Sequence, residues 1–417
     1  MENFDKQNED LNTSENENDE IEAIKPSVKI FGKIFTIIAY ILVFVLGYQV
    51  ATVSYTGQFG NVPGTTISQM NTIEDLVKKY YYKDYNKNNL YDYATSFMVY
   101  GLEDPYSYHL DETDLKEYEE TIEGAYVGVG LSLAPSENGQ IMVVSPFDSS
   151  PAQKAGILKN DIIVKVNGNE YSYKESEEAI RLMKGKKGET VELEIKREGV
   201  ENFTVTLTKD EIIYTSISSE KIEEDTVYVR ISRFDINTYE DFTKELSKYN
   251  IDENINLILD VRDNPGGTVN TAVSIADLFL DEGVIITEKY KNQKDVTEKS
   301  DEAYIKVKYP IIMLTNSSSA SASEILAGSL KDREKAILIG EKTYGKGLIN
   351  QRFEIDSKNS IVLSVAEYLT PNGTKIHGVG IEPHKEVISE HTGSILTLEK
   401  EDDIQLNAAL EYIKEHN

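Results

Sequence analysis

The chain has 417 residues, enough for two or three domains, and a formal charge of −29 from 43 basic and 72 acidic residues. Such an excess of acid argues against nucleic acid as a partner, because phosphate binding needs basic patches. The chain has no cysteine, which excludes disulfides, a thiol nucleophile and a cysteine-type metal site. Its five histidines are too scattered to form a metal-binding helix motif. We therefore expect neither a metal nor a cofactor.

The N-terminal region predicts a tail followed by a membrane anchor. Residues 1–33 begin with a stretch rich in Glu, Asp and Asn, which predicts a disordered acidic tail. Residues 34–53 carry no charge and are mostly apolar. This segment is long enough to cross the roughly 30 Å of membrane hydrocarbon, so it predicts a transmembrane helix, with a buried core helix as the alternative.

The distribution of lysines predicts how this anchor is oriented. Lys25, Lys29 and Lys33 precede the apolar segment, and the next basic residue is Lys78. The positive-inside rule then places the tail in the cytoplasm and everything after Val53 outside. A cleaved signal peptide is the alternative, but no small-x-small cleavage site follows the apolar run, which favours an uncleaved anchor.

The composition of the next two segments predicts a linker and a helical domain. Residues 54–66 are rich in Gly, Thr, Asn and Pro, as linkers are. Residues 67–120 carry apolar residues at helical spacing and predict an N-terminal helical domain for packing or dimerisation.

Residues 121–208 change to short alternating apolar runs separated by turns, the first from Val127 to Leu133, with one helical stretch from Lys174 to Met183. This pattern predicts a small β-rich domain with a helix. The domain opens on a glycine-containing loop made of Tyr126, Val127, Gly128, Val129 and Gly130. Its glycines leave backbone N–H groups free to receive a carboxylate, which indicates capture of a peptide carboxyl terminus beside an added strand.

Residues 209–400 alternate strands and helices, which predicts an α/β core with functional residues on the connecting loops. Asn256–Arg262 reads as a strand that leads into the turn Asn264–Gly267. Ile311–Leu314 reads as a buried strand that leads into a serine cluster, and Ser360–Leu369 reads as a further strand. Residues 401–417 predict a C-terminal amphipathic helix.

Ser321 lies in this serine cluster, at a predicted helix start. Ser321-Ala-Ser-Glu324 fits a capping box, so a structural cap is one reading. A helix N-terminus also presents free N–H groups and a positive dipole end where an oxyanion would form. Composition alone leaves both readings open.

Lys346 is flanked by Gly345 and Gly347 between two apolar strands. The spacing of Gly340, Gly345 and Lys346 is similar to a phosphate-binding loop, but that motif requires Ser or Thr where Gly347 stands. A turn with an exposed lysine is a further alternative. A serine at a helix start and a lysine held by glycines are the components of a Ser-Lys hydrolase, which needs no histidine.

With these segments in view, the chain resembles the bacterial carboxyl-terminal processing proteases. The resemblance covers nearly everything after residue 66 and rests on the order and spacing of several motifs. These are Leu102–Tyr108, Gly128–Gly130, Pro151–Gly156, Asn160–Gly168, Asp260–Gly267, Ser319–Gly328, Gly340–Gly347, Thr370–Gly373 and Gly380–Pro383.

The resemblance implies a membrane-anchored or exported serine endopeptidase with an inserted PDZ domain and an α/β, crotonase-like protease core. It implies protein substrates with nonpolar C-termini and a homodimer formed through the terminal regions. It also implies specific roles for residues of this chain. Ser321 would be the nucleophile and Lys346 the general base, and the oxyanion donors would be the N–H groups of Gly266 or Gly267 and of Ala322. The PDZ carboxylate loop would be Tyr126 to Gly130.

Two positions depart from the family pattern. Where the family usually has a glutamine that orients the lysine, this chain has Asn350, followed by Gln351. Adjacent strand residues face opposite ways, so Gln351 cannot simply substitute; either the shorter Asn350 orients the lysine or the backbone shifts. Where the family's PDZ domain often has an arginine that couples peptide binding to activation, this chain has Lys184, which keeps the charge but lacks the planar fork.

Three functions therefore compete. The first is a membrane-anchored serine endopeptidase. The second is a catalytically impaired PDZ binding protein on a membrane anchor, which Asn350 favours. The third is a nucleotide hydrolase, which would bind nucleotide with magnesium and which Gly347 disfavours.

Overall fold

A computed structural model of the chain describes residues 64–416 except 137, 214, 303–304 and 392–393. The predicted acidic tail and transmembrane segment lie outside the described residues. Within the described part, no helix combines the length and the apolar character that crossing a membrane requires.

The chain divides after Lys87 into two compact units. The described part of the first is mainly helix α1 (Gly64–Tyr80), which begins inside the stretch predicted as linker. Its apolar residues recur every three to four positions, and Met70, Ile73 and Leu76 of this stripe are 43–59% exposed.

The second unit carries the other described helices and all the described strands. Its helices are α2 (Lys87–Tyr100), α3 (Glu112–Glu123), α4 (Pro151–Lys154), α5 (Ser176–Met183), α6 (Thr238–Leu246), α7 (Val269–Asp277), α8 (Ala322–Asp332) and α9 (Ile404–His416). Its strands are β1 (Tyr108–Leu110), β2 (Ala125–Gly128), β3 (Leu131–Pro135), β4 (Ile141–Pro146), β5 (Ile162–Val166), β6 (Asn169–Glu170), β7 (Thr190–Lys196), β8 (Phe203–Thr208), β9 (Asp210–Ile213), β10 (Ile217–Glu223), β11 (Thr226–Ile231), β12 (Asn256–Asp260), β13 (Gly283–Tyr290), β14 (Val296–Ser300), β15 (Lys308–Thr315), β16 (Ala336–Gly340), β17 (Leu348–Glu354), β18 (Ser360–Leu369) and β19 (Lys385–Glu386).

The α/β core is built on a six-stranded sheet of order β10-β11-β12-β15-β16-β19. Five of these strands run parallel: β11, β12, β15, β16 and β19. Strand β10 is antiparallel to β11. Both faces are covered, which explains why the β12 and β15 sequences are almost continuously apolar. Leu257 and Leu259 face helices α6, α7 and α8, whereas Ile258 faces α9.

A buried ion cluster fixes α9 to the sheet. The guanidinium of Arg262, 1% exposed, bonds Asp260 at the end of β12 and Asp403 just before α9. Breaking such a buried pair would leave a charge without a partner, so this contact holds the C-terminal helix in one position.

A second, antiparallel sheet is built around β18. Strand β18 pairs with β1 through residues 360–362 and with β13 through residues 366–369, and β14 pairs with β13. Strand β17 pairs with β18 over residues 360–367. Strand β1 lies inside the stretch predicted as helical and pairs with β18, with Tyr108 opposite Val362. The helix that follows, α3, is started by Asp111, whose carboxylate accepts from the N–H groups of Thr113 and Asp114.

The region predicted as a PDZ domain is a sheet of order β3-β4-β5-β7-β8, with β6 on β5 and helix α5 packed against the sheet's core. The run predicted as one strand from Val127 is broken at Val129 and Gly130. Gly130 has φ +76°, and a Cβ there would lie 2.3 Å from the Cβ of Ser150. The turn therefore needs glycine, and β2 leaves the PDZ sheet to pair with β9 instead.

Candidate active site

Three neighbouring parallel strands deliver the candidate residues to one edge of the core sheet. Strand β12 leads into the turn that contains Gly266, β15 into the serine cluster and β16 into the segment before Lys346. In register, Asp260 pairs with Leu314, and Thr315 pairs with Gly340. Because the carboxyl ends of parallel strands meet at the same edge, the three loops converge there.

Ser321 occupies a strained turn at the N-cap of α8, with φ +55° and ψ −114°. A non-glycine residue in this region costs about 1–3 kcal/mol and persists only where its surroundings hold it. A strained strand-to-helix turn is a known way to present a nucleophile. The residue also forms a capping box with Glu324, so the cap and a nucleophile position coincide.

The carboxylate of Glu324 joins the serine loop to the lysine loop. This side chain is fully buried. Its Oε2 accepts from the N–H of Ser321 at 2.9 Å and of Lys346 at 2.8 Å. Its Oε1 accepts from the N–H of Gly345 at 2.7 Å and from Oγ1 of Thr343 at 2.6 Å. One side chain thus fixes the spacing of both segments.

The buried Tyr368 makes a second connection between the same residues. Its Oη lies 2.8 Å from the carbonyl oxygens of both Ser321 and Lys346. Burial raises the pKa of this phenol well above its ordinary value, so it stays a neutral donor. The backbones of Ser321 and Lys346 are therefore held together from both their N–H and their carbonyl sides.

Lys346 is partly buried, and burial lowers the pKa of its ammonium group, while the negative charges of Asp104 and Glu324 oppose that shift. Its Nζ lies 5.0 Å from the ring centroid of Tyr106. Over the residues that the structure describes, Nζ of Lys346 and Oγ of Ser321 do not share a hydrogen bond. A lysine must be neutral to act as a general base, and a pKa lowered by burial favours that neutral form.

The predicted oxyanion turn lies directly against Ser321. Gly266 has φ +105°, and a Cβ on it would lie 2.7 Å from Cβ of Ser321 and 3.0 Å from the backbone N of Ala322. Its own N–H donates to Oδ1 of Asn264 at 2.8 Å. Gly267 is closed in from the other side, since a Cβ there would lie 2.0 Å from the carbonyl oxygen of Phe234.

Asn350 reaches a different partner from the lysine. Its Nδ2 donates to the carbonyl oxygen of Tyr106 at 2.7 Å and lies 3.3 Å from Oγ of Ser364. A bulge between Ile349 and Asn350 shifts the register of β17 against β18 at this point. The side chain therefore fixes the loop that carries Tyr106.

The predicted peptide site lies between β3 and α5. A cavity of about 40 Å³ is lined by the predicted loop, by apolar residues of both elements and by the lysine that follows α5: Tyr126, Val129, Leu131, Leu133, Ile180, Met183 and Lys184. The ring of Tyr126 lies over Gly128, where a Cβ would be only 2.6 Å from Cε2. Nζ of Lys184 lies 4.8 Å from the centroid of that ring and bonds Glu120 of α3 at 2.9 Å.

Two kinds of comparison identify the chain. The PDZ domain profile matches residues 126–207, and the profile of peptidase family S41 matches residues 225–387. The carboxy-terminal processing protease CtpA of Bacillus subtilis is 36% identical over 317 residues, which span 76% of this chain and 67% of CtpA. The chain belongs to this protease family. The resemblance stated from the motifs is thereby confirmed, and the protein is a serine-type carboxy-terminal processing protease with a PDZ domain.

Further relatives agree. The carboxy-terminal processing protease CtpB of Bacillus subtilis is 32% identical over 339 residues, 80% of this protease and 70% of CtpB. A solved structure from Bacteroides fragilis, assigned to the S41 proteases, superimposes with a TM-score of 0.53 at 16% identity, over 76% of this chain and 88% of that one. At that identity the superposition supports the fold alone.

Sequence reasoning missed two functions of residues at this site. Glu324 was recognised only as a capping residue, although its carboxylate also binds the lysine loop 22 residues away. Tyr368, at the end of a predicted strand, gave no signal, because its contacts depend on how β18 lies under both loops.

Replacing Glu324 by glutamine should reduce kcat of this protease about 10- to 100-fold. The carboxylate of Glu324 accepts four hydrogen bonds, two on each oxygen. In glutamine one of these oxygens becomes an NH₂ group, which cannot accept, so two of the four bonds are lost. Each charge-assisted bond lost costs about 1.5–3 kcal/mol. The measurement is kcat on a peptide substrate, with Glu334→Gln, an exposed glutamate just beyond α8, as the control. A kcat within twofold of wild type would contradict the positioning role.

Proposed function

We propose that this protease is a membrane-anchored endopeptidase that cleaves extracytoplasmic proteins, with Ser321 as nucleophile and Lys346 as general base. The observation that carries the proposal is the double connection of Ser321 to Lys346 through Glu324 and Tyr368. The depressed pKa of the Lys346 ammonium supports it. The proposal includes neither a metal nor a cofactor.

In the proposed reaction, neutral Lys346 takes the proton of Ser321 as its Oγ attacks the scissile carbonyl carbon. The oxyanion is bound by the N–H of Ala322 and that of Gly266 or Gly267. Lys346 then protonates the leaving amine, and a water molecule hydrolyses the acyl-enzyme. Operation near neutral pH requires the pKa of Lys346 to lie below its ordinary value, and burial moves it in that direction.

We further propose that docking of a substrate C-terminus in the PDZ domain helps to assemble this site. One feature supports it: the N–H of Gly266 is bonded to Oδ1 of Asn264, so substrate binding would have to free it before it could bind an oxyanion.

A hydrogen-bonded path supports communication between the two regions. Ile236 donates its N–H to the carbonyl of Ile122, near the end of α3 and next to the PDZ entry strand β2. Phe234, two residues earlier, donates to the carbonyl of Gly266. A displacement of the PDZ entry strand therefore has a short route to the oxyanion turn.

The PDZ proposal predicts that peptide affinity and cleavage fall together when the loop is blocked. Gly128→Ala with Gly130→Ala should weaken binding of nonpolar carboxyl-terminal peptides at least tenfold and reduce cleavage of the corresponding substrates, because both Cβ atoms would meet Tyr126 or Ser150. The control is Gly139→Ala with Gly168→Ala, in the same domain, where both glycines have positive φ, as Gly130 does, but a Cβ meets nothing within 4 Å. Unchanged cleavage in the loop variant, or equal cleavage by wild type of free-acid and amidated substrates, would refute the proposal.

The membrane anchor and orientation are part of the proposal and rest on residues 25–53. We expect the full-length protein to sediment with membranes and its catalytic part to be digested by protease added outside intact cells. A protein protected in intact cells would contradict the proposed orientation.

We also propose a homodimer formed through the terminal regions, supported by the exposed apolar stripe of α1. Sedimentation of the detergent-solubilised protein should give twice the monomer mass, and Ile73→Asp with Leu76→Asp should shift it to the monomer. A monomeric wild type would contradict this proposal.

The decisive test of the Ser-Lys mechanism is covalent labelling with a fluorophosphonate, alongside β-casein cleavage in the presence of EDTA. Full-length wild type in detergent should cleave casein and bind one label per chain, whereas Ser321→Ala should bind none. The competing function, a PDZ binding protein without catalysis, is favoured by Asn350. Wild type that binds nonpolar C-terminal peptides but neither cleaves casein nor takes the label would establish it.

A further inference from the structure

Tyr106 lies outside the α/β core in sequence, but its side chain lies beside Lys346, the candidate general base. The residue sits in the connection between α2 and β1, where β1 is held on β18. The centroid of its ring is 5.0 Å from Nζ of Lys346. An aromatic face at this distance attracts an ammonium group and at the same time excludes water from it.

Contacts on several sides fix the position of this ring. The N–H of Tyr106 donates to Oδ1 of Asp104 at 3.0 Å, and its carbonyl accepts from Nδ2 of Asn350 at 2.7 Å. The ring meets the ring of His377 edge to face, with centroids 6.0 Å apart. Burial and the neighbouring hydroxyl of Tyr344 raise the pKa of Tyr106 to about 12, so the phenol stays neutral and takes no proton from the serine.

We propose that Tyr106 is the positioning residue of Lys346 in this protease, and that Asn350 acts through it by holding its backbone carbonyl. The inference rests on the proposed role of Lys346 as general base. The side chain of Asn350 binds the carbonyl of Tyr106 and does not reach the lysine itself. The ring of Tyr106, not Asn350, lies against Nζ of Lys346.

The charged and titratable groups around the lysine determine the effect of removing the ring. Glu324 approaches from α8, Asp104 from the same loop as Tyr106, and His377 from the loop before β19. Both carboxylates favour the ammonium form, and burial opposes them as the largest influence. Without the ring, water would reach Nζ and stabilise the ammonium form, so the pKa of Lys346 would rise. The loss of attraction between the ring and the ammonium group acts in the opposite direction. Because burial is the largest influence on the pKa of Lys346, we expect the net change to be a rise.

The test is the pH dependence of kcat/KM for full-length protein in detergent, using a fluorogenic peptide. In Tyr106→Leu the acidic limb should move to higher pH by about one unit, which lowers kcat/KM about tenfold on that limb. Tyr106→Phe, which keeps the ring, should restore the limb. Tyr108→Leu, which changes an exposed tyrosine of β1 two residues further along the chain, should match wild type.

Asn350→Ala is the second variant and keeps the ring itself. It should move the limb in the same direction by a smaller amount, and it decides the matter if Tyr106→Leu does not fold. A uniform loss of kcat/KM without a shift of the limb, in either variant, would show a merely structural role and overturn the inference. A wild type that is inactive, or whose limb does not depend on Lys346, would overturn the proposed function itself.

Discussion

Replacing Lys346 by alanine is expected to lower kcat for β-casein cleavage about 10³-fold or more while leaving peptide binding by the PDZ domain unchanged. General bases contribute about 10²–10⁴-fold to rate, and among the described basic residues only Lys346 has its backbone bonded to the Ser321 loop through both Glu324 and Tyr368. Lys346→Arg should not rescue activity, because a guanidinium stays protonated at every working pH.

The dependence of wild-type kcat/KM on pH is a second test of the proposed role of Lys346. The proposed reaction needs neutral Lys346, so kcat/KM should rise with pH as the ammonium loses its proton. Because burial lowers the pKa of Lys346, the midpoint of that rise should lie below the ordinary lysine value of about 10.4. Casein cleavage by Lys346→Ala within tenfold of wild type would assign the base to another residue.

Replacing Gly266 by alanine is expected to reduce kcat about 10²–10³-fold, the usual effect of losing one oxyanion donor. The new Cβ would lie 2.7 Å from Cβ of Ser321, 2.8 Å from the carbonyl oxygen of Ala320 and 3.0 Å from N of Ala322. These are backbone or fixed atoms at the proposed oxyanion site, so either the turn or the serine must move.

The matched control for Gly266→Ala is Gly373→Ala. Gly373 also has positive φ, at +78°, but a Cβ on it would meet nothing within 4 Å. Both variants share the cost of placing alanine in left-handed backbone, so a difference in kcat reports the contact with Ser321. Equal kcat for the two variants would remove Gly266 from the proposed site.

The sequence carried enough local information to predict most of the elements. Strand β18 was predicted with the bounds it has, and the broken strand at Val129 was missed because apolar alternation continues through the turn. Strand β1 was missed for a different reason. Three residues at its position have no periodicity of their own and become a strand only because β18 presents a free edge.

The sequence by itself determined the family, the PDZ domain and the two loops that carry Ser321 and Lys346, because these depend on short motifs in a fixed order. The anchor and its orientation also remain predictions from sequence. Tertiary structure decided which residues join the two loops. Glu324 and Tyr368 bond to segments distant along the chain, and Tyr106 reaches Lys346 from 240 residues away. Such contacts depend on the register of the sheets and on the paths of the loops between them, which no local pattern specifies.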